Sequence, residues 1–116
     1  MILKLTKEIV KTLDAKKAED VKVIEIGELS IIGDYFIIAS GTSTTQVKAL
    51  VDEIEFKLEE KNIRPKRIEG YTYANWIILD YVDVIVHVFH TETREFYSLE
   101  RLWSDGKQLD TEDFLV

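Results

Sequence analysis

The chain has 116 residues, no cysteine and a formal net charge of −7. Its length suits one domain with a hydrophobic core, and the absence of cysteine excludes disulfides, thiolate nucleophiles and most structural zinc sites. The acidic balance disfavours direct nucleic-acid binding and favours a basic protein as partner. The sequence has neither a signal-peptide core nor an apolar run of the ~20 residues that a membrane span needs, so we expect a cytoplasmic protein.

The first part of the chain predicts a helix followed by two strands. Apolar residues recur at helical spacing from Ile2 to Leu13. Residues 21–26 alternate and then run apolar, which is typical of a strand, and Gly27 is predicted to end it. Residues 34–41 form a continuous apolar run with aromatic and β-branched members, which predicts a strand that is buried on both faces.

A second helix is predicted over residues 44–61. Ser43 and Gln46 have the spacing of a capping box at its start, and Pro65 disfavours helical backbone just before it. Phe56 falls on the side of this helix that is opposite its apolar stripe. It is either a scattered surface residue or a contact with another subunit or partner.

The later part of the chain predicts three strands and a third helix. Residues 66–71 form a short strand, and residues 76–80 and 83–89 form an antiparallel hairpin. From residue 92 to 103 the spacing becomes helical again, with Phe96, Leu99 and Trp103 on one side.

These elements predict an α/β (α+β) fold in which helices pack on a mixed sheet of about five strands. The strands around helix 44–61 are parallel through a crossover, whereas the hairpin is antiparallel. We assign residues 1–104 to a single domain and residues 105–116 to an acidic C-terminal tail that is loose or weakly docked.

No polar cluster has the pattern of a catalytic, cofactor or metal site. The turn 41–43 lacks the lysine of a phosphate-binding loop and the glycines of a dinucleotide loop, so a strand exit and a helix cap explain it. Asp80 and Asp83 flank a hairpin turn, and no Asp-x-Asp pair lies on a predicted strand to hold two metal ions. His87 and His90 point to opposite faces of one strand, so they form no simple zinc pair. We expect no enzyme, no cofactor and no metal.

The most distinctive segment runs from Ile68 to Thr93. It contains none of the chain's 15 lysines and arginines, but it carries five aromatic and four acidic side chains. That composition is typical of an interface that attracts a basic partner. The alternative is a buried hairpin whose aromatic residues are core. We favour the core for Phe89, leave both alternatives open for Trp76, and expect Tyr73 and Tyr81 to be exposed beside turns.

The chain also resembles the ribosomal silencing factor family, RsfS/Iojap. The stretches that carry the resemblance follow in the family's order: DYFIIASGTS (34–43), QVKA (46–49), EG (69–70), WIILDY (76–81), DVIVHVF (83–89), REFY (94–97) and LERLW (99–103). Two positions depart from the family pattern. Thr45 stands where relatives often have arginine, and Val82 stands where they often have glycine.

The resemblance implies a nucleotidyltransferase-like fold without the catalytic carboxylates. It also implies binding to the large ribosomal subunit through its basic ribosomal protein number fourteen, which would block joining of the small subunit and repress translation. The free protein would be a homodimer, with Phe56 as a candidate contact. The docking residues that we carry over are Trp76, Leu79, Asp80, Tyr81 and Asp83, followed by Glu69, Tyr71 and His87.

Three alternatives remain open at this point. Organellar relatives are tied to ribosome assembly, so the chain could be an assembly adaptor of the large subunit. It could be a nucleotide-binding, nucleotidyltransferase-like enzyme that uses the turn 41–43, although the carboxylate pair is missing. It could also be a generic dimeric adaptor that uses Phe56.

Overall fold

A computed structural model describes residues 2–26, 35–97 and 107–115. Its elements are, in chain order, α1 (Ile2–Ala15), β1 (Glu19–Glu25), β2 (Tyr35–Gly41), α2 (Thr44–Glu59), β3 (Arg67–Glu69), β4 (Trp76–Asp80), β5 (Val84–His90), α3 (Thr91–Tyr97), β6 (Lys107–Leu109) and a 3₁₀ helix (Thr111–Phe114). The helices and strands predicted up to residue 89 are all present, with ends shifted by a few residues. Gly27 lies outside the described residues.

The strands form one mixed sheet in the order β3-β4-β5-β2-β1-β6. The pair β2–β5 is parallel, and the other neighbouring pairs are antiparallel. A parallel pair needs a long crossover. The chain makes it by passing from β2 through α2 to the outer strand β3, and then back through β4 to β5. The predicted mixed sheet with helices packed on it is therefore confirmed.

Side-chain alternation along the central strands separates the core into two layers. The layer that includes Ile37, Leu79 and Val86 also contains the buried residues of α1 and α2, and we call this side of the sheet the α1–α2 face. The second layer includes Phe89 and the partly buried Trp76, and we call this side the Trp76 face. The strands β2 and β5 are covered on both sides because they lie between these layers.

The third helix is described only from Thr91 to Tyr97. The rest of the predicted helix, with Leu99 and Trp103, lies outside the described residues. Arg94 is buried, and its Nη1 donates hydrogen bonds to Ser40 Oγ at 2.8 Å and to the Asp20 carbonyl oxygen at 2.7 Å. This guanidinium therefore links α3 to β2 and to the start of β1.

Of the two predicted alternatives, a loose or a weakly docked tail, the loose tail is wrong for residues 107–115, because they dock on the rest of the domain. The strand β6 pairs with β1, with Leu109 opposite Val23. Phe114, on the 3₁₀ helix, is 8% exposed and belongs to the core layer on the α1–α2 face. An edge strand offers unpaired backbone groups, and β1 uses them to bind β6. The sheet consequently has six strands among the described residues.

None of the described helices is long and apolar enough to cross a membrane.

Candidate docking surface

The structure distributes the predicted docking residues over both faces of the sheet. Trp76 and Asp80 occupy alternate positions of β4 on the Trp76 face, and Glu69 of β3 lies opposite Ile78 on the same face. Leu79 points to the other side, where it is 0% exposed. A fully covered side chain offers no area to a partner, so Leu79 is a core residue and its predicted docking contact is wrong.

Trp76 combines a core contact with an accessible edge. Its ring stacks on Phe89, with 4.8 Å between ring centroids and 24° between ring planes. Its indole Nε1 donates a hydrogen bond of 3.0 Å to His87 Nδ1. The side chain is nevertheless only partly buried. One side of the ring therefore packs inward as a core residue does, while part of it stays accessible, and its role in an interface stays a prediction.

His87 lies beneath this surface and not on it. The residue is 5% exposed, and its ring packs against Phe36 at 4.8 Å between centroids. Burial lowers its pKa to about 4, so the imidazole is neutral near neutral pH. The predicted direct contact of His87 with a partner is wrong, because its neighbours cover it.

Tyr81 is buried, although its position beside a turn predicts exposure. It is 6% exposed and belongs to the core layer on the α1–α2 face. Burial and the nearby Glu55 carboxylate raise the pKa of its phenol. No described residue makes a hydrogen bond with its hydroxyl group. The predicted docking contact of Tyr81 is wrong for the same reason as that of Leu79.

The geometry of the hairpin turn shows why glycine would suit position 82, where this chain has valine. This residue has φ +73°, in the left-handed region that favours glycine. The amide of Asp83 donates to the Tyr81 carbonyl at 2.9 Å, and the amide of Val82 donates to Asp80 Oδ1 at 2.8 Å. The chain therefore keeps a tight turn with valine in a conformation suited to glycine, and the carboxylate of Asp80 supports it. Asp83 is exposed at this turn.

Tyr71 is attached to α2. Its hydroxyl donates to the Asp52 carboxylate, at 2.9 Å from Oδ1 and 3.1 Å from Oδ2, and Lys48 Nζ lies 5.3 Å from the ring centroid. The hydrogen bond to Asp52 raises the pKa of Tyr71. These contacts place Tyr71 on the α1–α2 side of the sheet, away from Trp76. Tyr73 is 81% exposed, as predicted.

Two residues that the sequence reading missed shape the surface. Ile78 is two positions after Trp76 on β4 and is also partly buried on the Trp76 face. The period of two along a strand is a signal that could have identified it. Gly70 has φ +81°, and a Cβ atom there would clash with the Trp76 carbonyl oxygen. Glycine therefore lets the loop after β3 approach the start of β4 closely.

Together these positions define one surface, which we call the docking patch. It consists of Glu69, Trp76, Ile78 and Asp80 on the Trp76 face, together with Asp83, which is exposed at the adjoining hairpin turn. Three carboxylates accompany an indole and an aliphatic side chain, and Arg67, opposite Asp80 in the sheet, is a cation beside them. Carboxylates that share a surface with an aromatic residue favour a partner with basic groups.

Side chains of the turn before α2 accept hydrogen bonds from two of its backbone amides. Ser43 Oγ accepts a hydrogen bond from the Gln46 amide at 3.0 Å, which confirms the predicted cap. Gln46 Oε1 accepts from the Thr42 amide at 2.6 Å and from the Thr42 hydroxyl at 3.0 Å. Among the residues that the structure describes, no group of three or more His, Cys, Asp and Glu side chains could hold a metal ion.

Phe56 is 59% exposed on the outer side of α2, whereas Val47 and the rest of the apolar stripe are buried. The helix therefore has the predicted orientation. A subunit contact through Phe56 stays a prediction.

Comparisons with known proteins support the family resemblance and the fold. Residues 2–115 match the family described as ribosomal silencing factor during starvation. The chain is 42% identical over 103 residues to ribosomal silencing factor RsfS of Halalkalibacterium halodurans, across 89% of this chain and 88% of that protein. It is 33% identical over 99 residues to the mouse protein named mitochondrial assembly of ribosomal large subunit protein 1, across 83% of this chain but 43% of that protein. A crystal structure of a Chromobacterium violaceum protein superposes with a TM-score of 0.87 at 30% identity, across 95% of this chain and 91% of that one.

Proposed function

The chain belongs to the ribosomal silencing factor family, and from that premise we propose that it binds the large ribosomal subunit through ribosomal protein number fourteen. Bound there, it blocks joining of the small subunit and represses translation. The observation that carries this proposal is the docking patch, where a partly exposed indole at the start of β4 shares a face of the sheet with Glu69 and Asp80, and Asp83 is exposed at the hairpin turn. A basic protein surface complements both features.

The proposed mechanism is steric. The folded chain measures 34 × 33 × 27 Å along its principal axes, so a bound copy occupies space that the small subunit needs on approach. Trp76 is the proposed anchor, because tryptophan in a well-packed setting is a frequent hot spot. The carboxylates speed the encounter and orient the partner. Chemistry on a substrate has no part in this mechanism, and the family is not a known enzyme family.

A subunit-joining assay with purified ribosomal subunits tests the proposal. The wild-type chain is expected to bind large subunits in co-sedimentation and to lower the yield of joined ribosomes. Trp76→Ala is expected to weaken binding by about 2 kcal/mol or more, which is roughly 30-fold, and Asp83→Lys should weaken it further by repelling a basic partner.

Tyr73→Ala is the matched control, since it removes an exposed aromatic residue of the same segment that lies outside the docking patch. It should bind as the wild type does. The docking proposal is lost if the wild type does not bind large subunits, or if Trp76→Ala combined with Asp83→Lys binds as tightly as Tyr73→Ala.

Assembly of the large subunit is the second candidate function. The observation that favours it is the 33% identity to a relative whose name refers to mitochondrial assembly of that subunit. Deletion of the gene separates the two functions. Loss of an assembly adaptor should make large-subunit precursors accumulate during rapid growth. Loss of a silencing factor should leave normal subunits, but translation should continue when nutrients are short.

The nucleotide-binding alternative is tested by calorimetry with ATP or GTP and Mg²⁺. We expect no binding, because Gln46 and Ser43 already accept hydrogen bonds from the amides of Thr42 and Gln46 beside the start of α2. Tight binding that Ser43→Ala abolishes would revive this alternative.

A further inference from the structure

Trp76 and His87 form a hydrogen bond with only one chemically allowed direction. The indole Nε1 is a donor and never an acceptor, and it lies 3.0 Å from His87 Nδ1. His87 Nδ1 must therefore carry a lone pair, and the neutral ring must carry its proton on Nε2. In the other tautomer, or in the protonated ring, two N–H groups would oppose each other across this contact.

The His87 ring is held firmly in the sheet. It is 5% exposed, and it sits on β5 between neighbours on both sides, opposite Ile38 of β2 and Ile78 of β4. The rings of Phe36 and Phe89 lie 4.8 Å and 6.3 Å from its centroid. A ring packed in this way is a fixed reference point for whatever hydrogen-bonds to it.

We infer that His87 is the positioning residue of the docking patch: its neutral Nδ1 fixes the edge of the Trp76 indole, and the strength of docking depends on that bond. The inference rests on the proposed function, and it assigns His87 a role other than direct contact. Stacking on Phe89 restrains the plane of the indole, whereas the hydrogen bond also fixes its rotation within that plane.

A fixed anchor strengthens binding because the partner does not have to immobilise the side chain on contact. Burial of His87 lowers its pKa to about 4, which keeps the accepting lone pair available near neutral pH. The residue thus supplies a permanent acceptor on a rigid strand.

Three substitutions separate this role from simple packing. His87→Leu removes the acceptor while keeping an apolar side chain of moderate size. His87→Asn keeps an acceptor, since its Oδ1 takes nearly the place of Nδ1 on the shorter side chain. Trp76→Phe removes the donor and keeps an aromatic ring. Circular dichroism and thermal melting show whether each variant is folded before its binding is measured.

Binding to purified large subunits is then measured by titration. We expect His87→Leu to weaken binding about tenfold and His87→Asn to stay within about threefold of the wild type. Adding His87→Leu to Trp76→Phe should cause no further loss, because the bond is already absent. Equal weakening by His87→Asn and His87→Leu, or a full additional loss in the double variant, would overturn the inference.

Long-range ¹H–¹⁵N spectra of the free protein test the bond itself, independently of any ribosome. The expected signature is a protonated Nε2 and an unprotonated Nδ1 in His87, with slow exchange of the Trp76 indole proton that becomes fast in His87→Leu. A protonated Nδ1 would overturn the inference. If His87→Leu does not fold, the inference is judged by the wild-type spectrum and by the binding of His87→Asn to large subunits.

The two failures can be told apart. If the wild type does not bind large subunits, the proposed function fails together with the claim that His87 supports docking. If the wild type binds and His87→Leu binds equally well, the proposed function stands and the role of His87 is lost.

Discussion

At position 82 a β-branched residue holds a backbone conformation that costs it free energy. Val82 has φ +73°, and an L-residue in the left-handed region is disfavoured by roughly 1–2 kcal/mol. The turn keeps this conformation because the amides of Val82 and Asp83 both donate hydrogen bonds within it. The surrounding hairpin thus determines the conformation of a residue that does not favour it by itself.

Val82→Gly is therefore expected to raise the free energy of unfolding by up to about 1 kcal/mol, since relief of the strain exceeds the opposing effect of the greater entropy that glycine has in the unfolded chain. Urea denaturation measures the change. Thr72→Gly, at an exposed position outside the left-handed region, should lower stability instead. Equal destabilisation by both substitutions would contradict the assignment of strain to Val82.

His87 makes the stability of the chain depend on pH. Its pKa in the folded state is about 4, lowered by burial from an ordinary value of 6.5. At pH values between about 4 and 6.5, His87 is protonated in the unfolded chain but stays neutral in the folded chain. The contribution of the neutral His87 to the free energy of unfolding is thus complete above about pH 6.5. It is lost as the pH falls towards 4, and the total loss is about 3 kcal/mol.

His87→Phe should remove this part of the pH dependence. Urea denaturation at pH 7 and pH 5 measures it, and the wild type should lose stability between the two while His87→Phe loses less. His90→Gln leaves His87 in place and should behave like the wild type. The same acid-induced loss in all three proteins would refute the explanation.

Among the elements, β6 and the 3₁₀ helix depend on tertiary contacts more than on their own sequence. Their residues 107–114 read KQLDTEDF, which is a polar stretch with two apolar positions. Leu109 pairs opposite Val23 of β1, and Phe114 is buried in the core layer on the α1–α2 face. These two anchors make a segment with weak local preferences part of the folded domain.

Phe114→Ala is expected to lower the free energy of unfolding by about 3 kcal/mol, the usual loss for a buried phenylalanine. Its neighbour Leu115 is 37% exposed, whereas Phe114 is 8% exposed. Leu115→Ala is therefore the control and should cost well under half as much. Chemical denaturation measures the free energy of unfolding of both variants. Similar decreases in the two would show that Phe114 is not an anchor.

At the scale of the whole molecule, the sheet separates two kinds of surface. The docking patch lies on the Trp76 face near the strands β3 and β4, while Phe56 lies on the outer side of α2. We propose that the free chain is a homodimer and that Phe56 contributes to its interface, which leaves the docking patch as a separate surface. Confirmed membership of the silencing-factor family gives this arrangement its functional setting.

Phe56→Glu should convert the free protein to a monomer, because a charge replaces an apolar contact. Sedimentation velocity at several concentrations measures the mass. Leu3→Glu is a matched control, since Leu3 and Phe56 are both 59% exposed. A wild type that is monomeric throughout, or a Phe56→Glu protein with the mass of a wild-type dimer, would exclude this interface.

The sequence by itself determined the helix and strand order up to β5, the cap at Ser43, the apolar stripe of α2 and the family. These features depend on neighbours within a few positions, so local periodicity and short motifs reveal them. Only the tertiary structure decided that Leu79, Tyr81 and His87 are covered while Trp76 keeps an accessible edge. It also decided that β6 pairs with β1. Those outcomes depend on which elements pack over each face and edge of the sheet, and such contacts join residues that lie far apart in the chain.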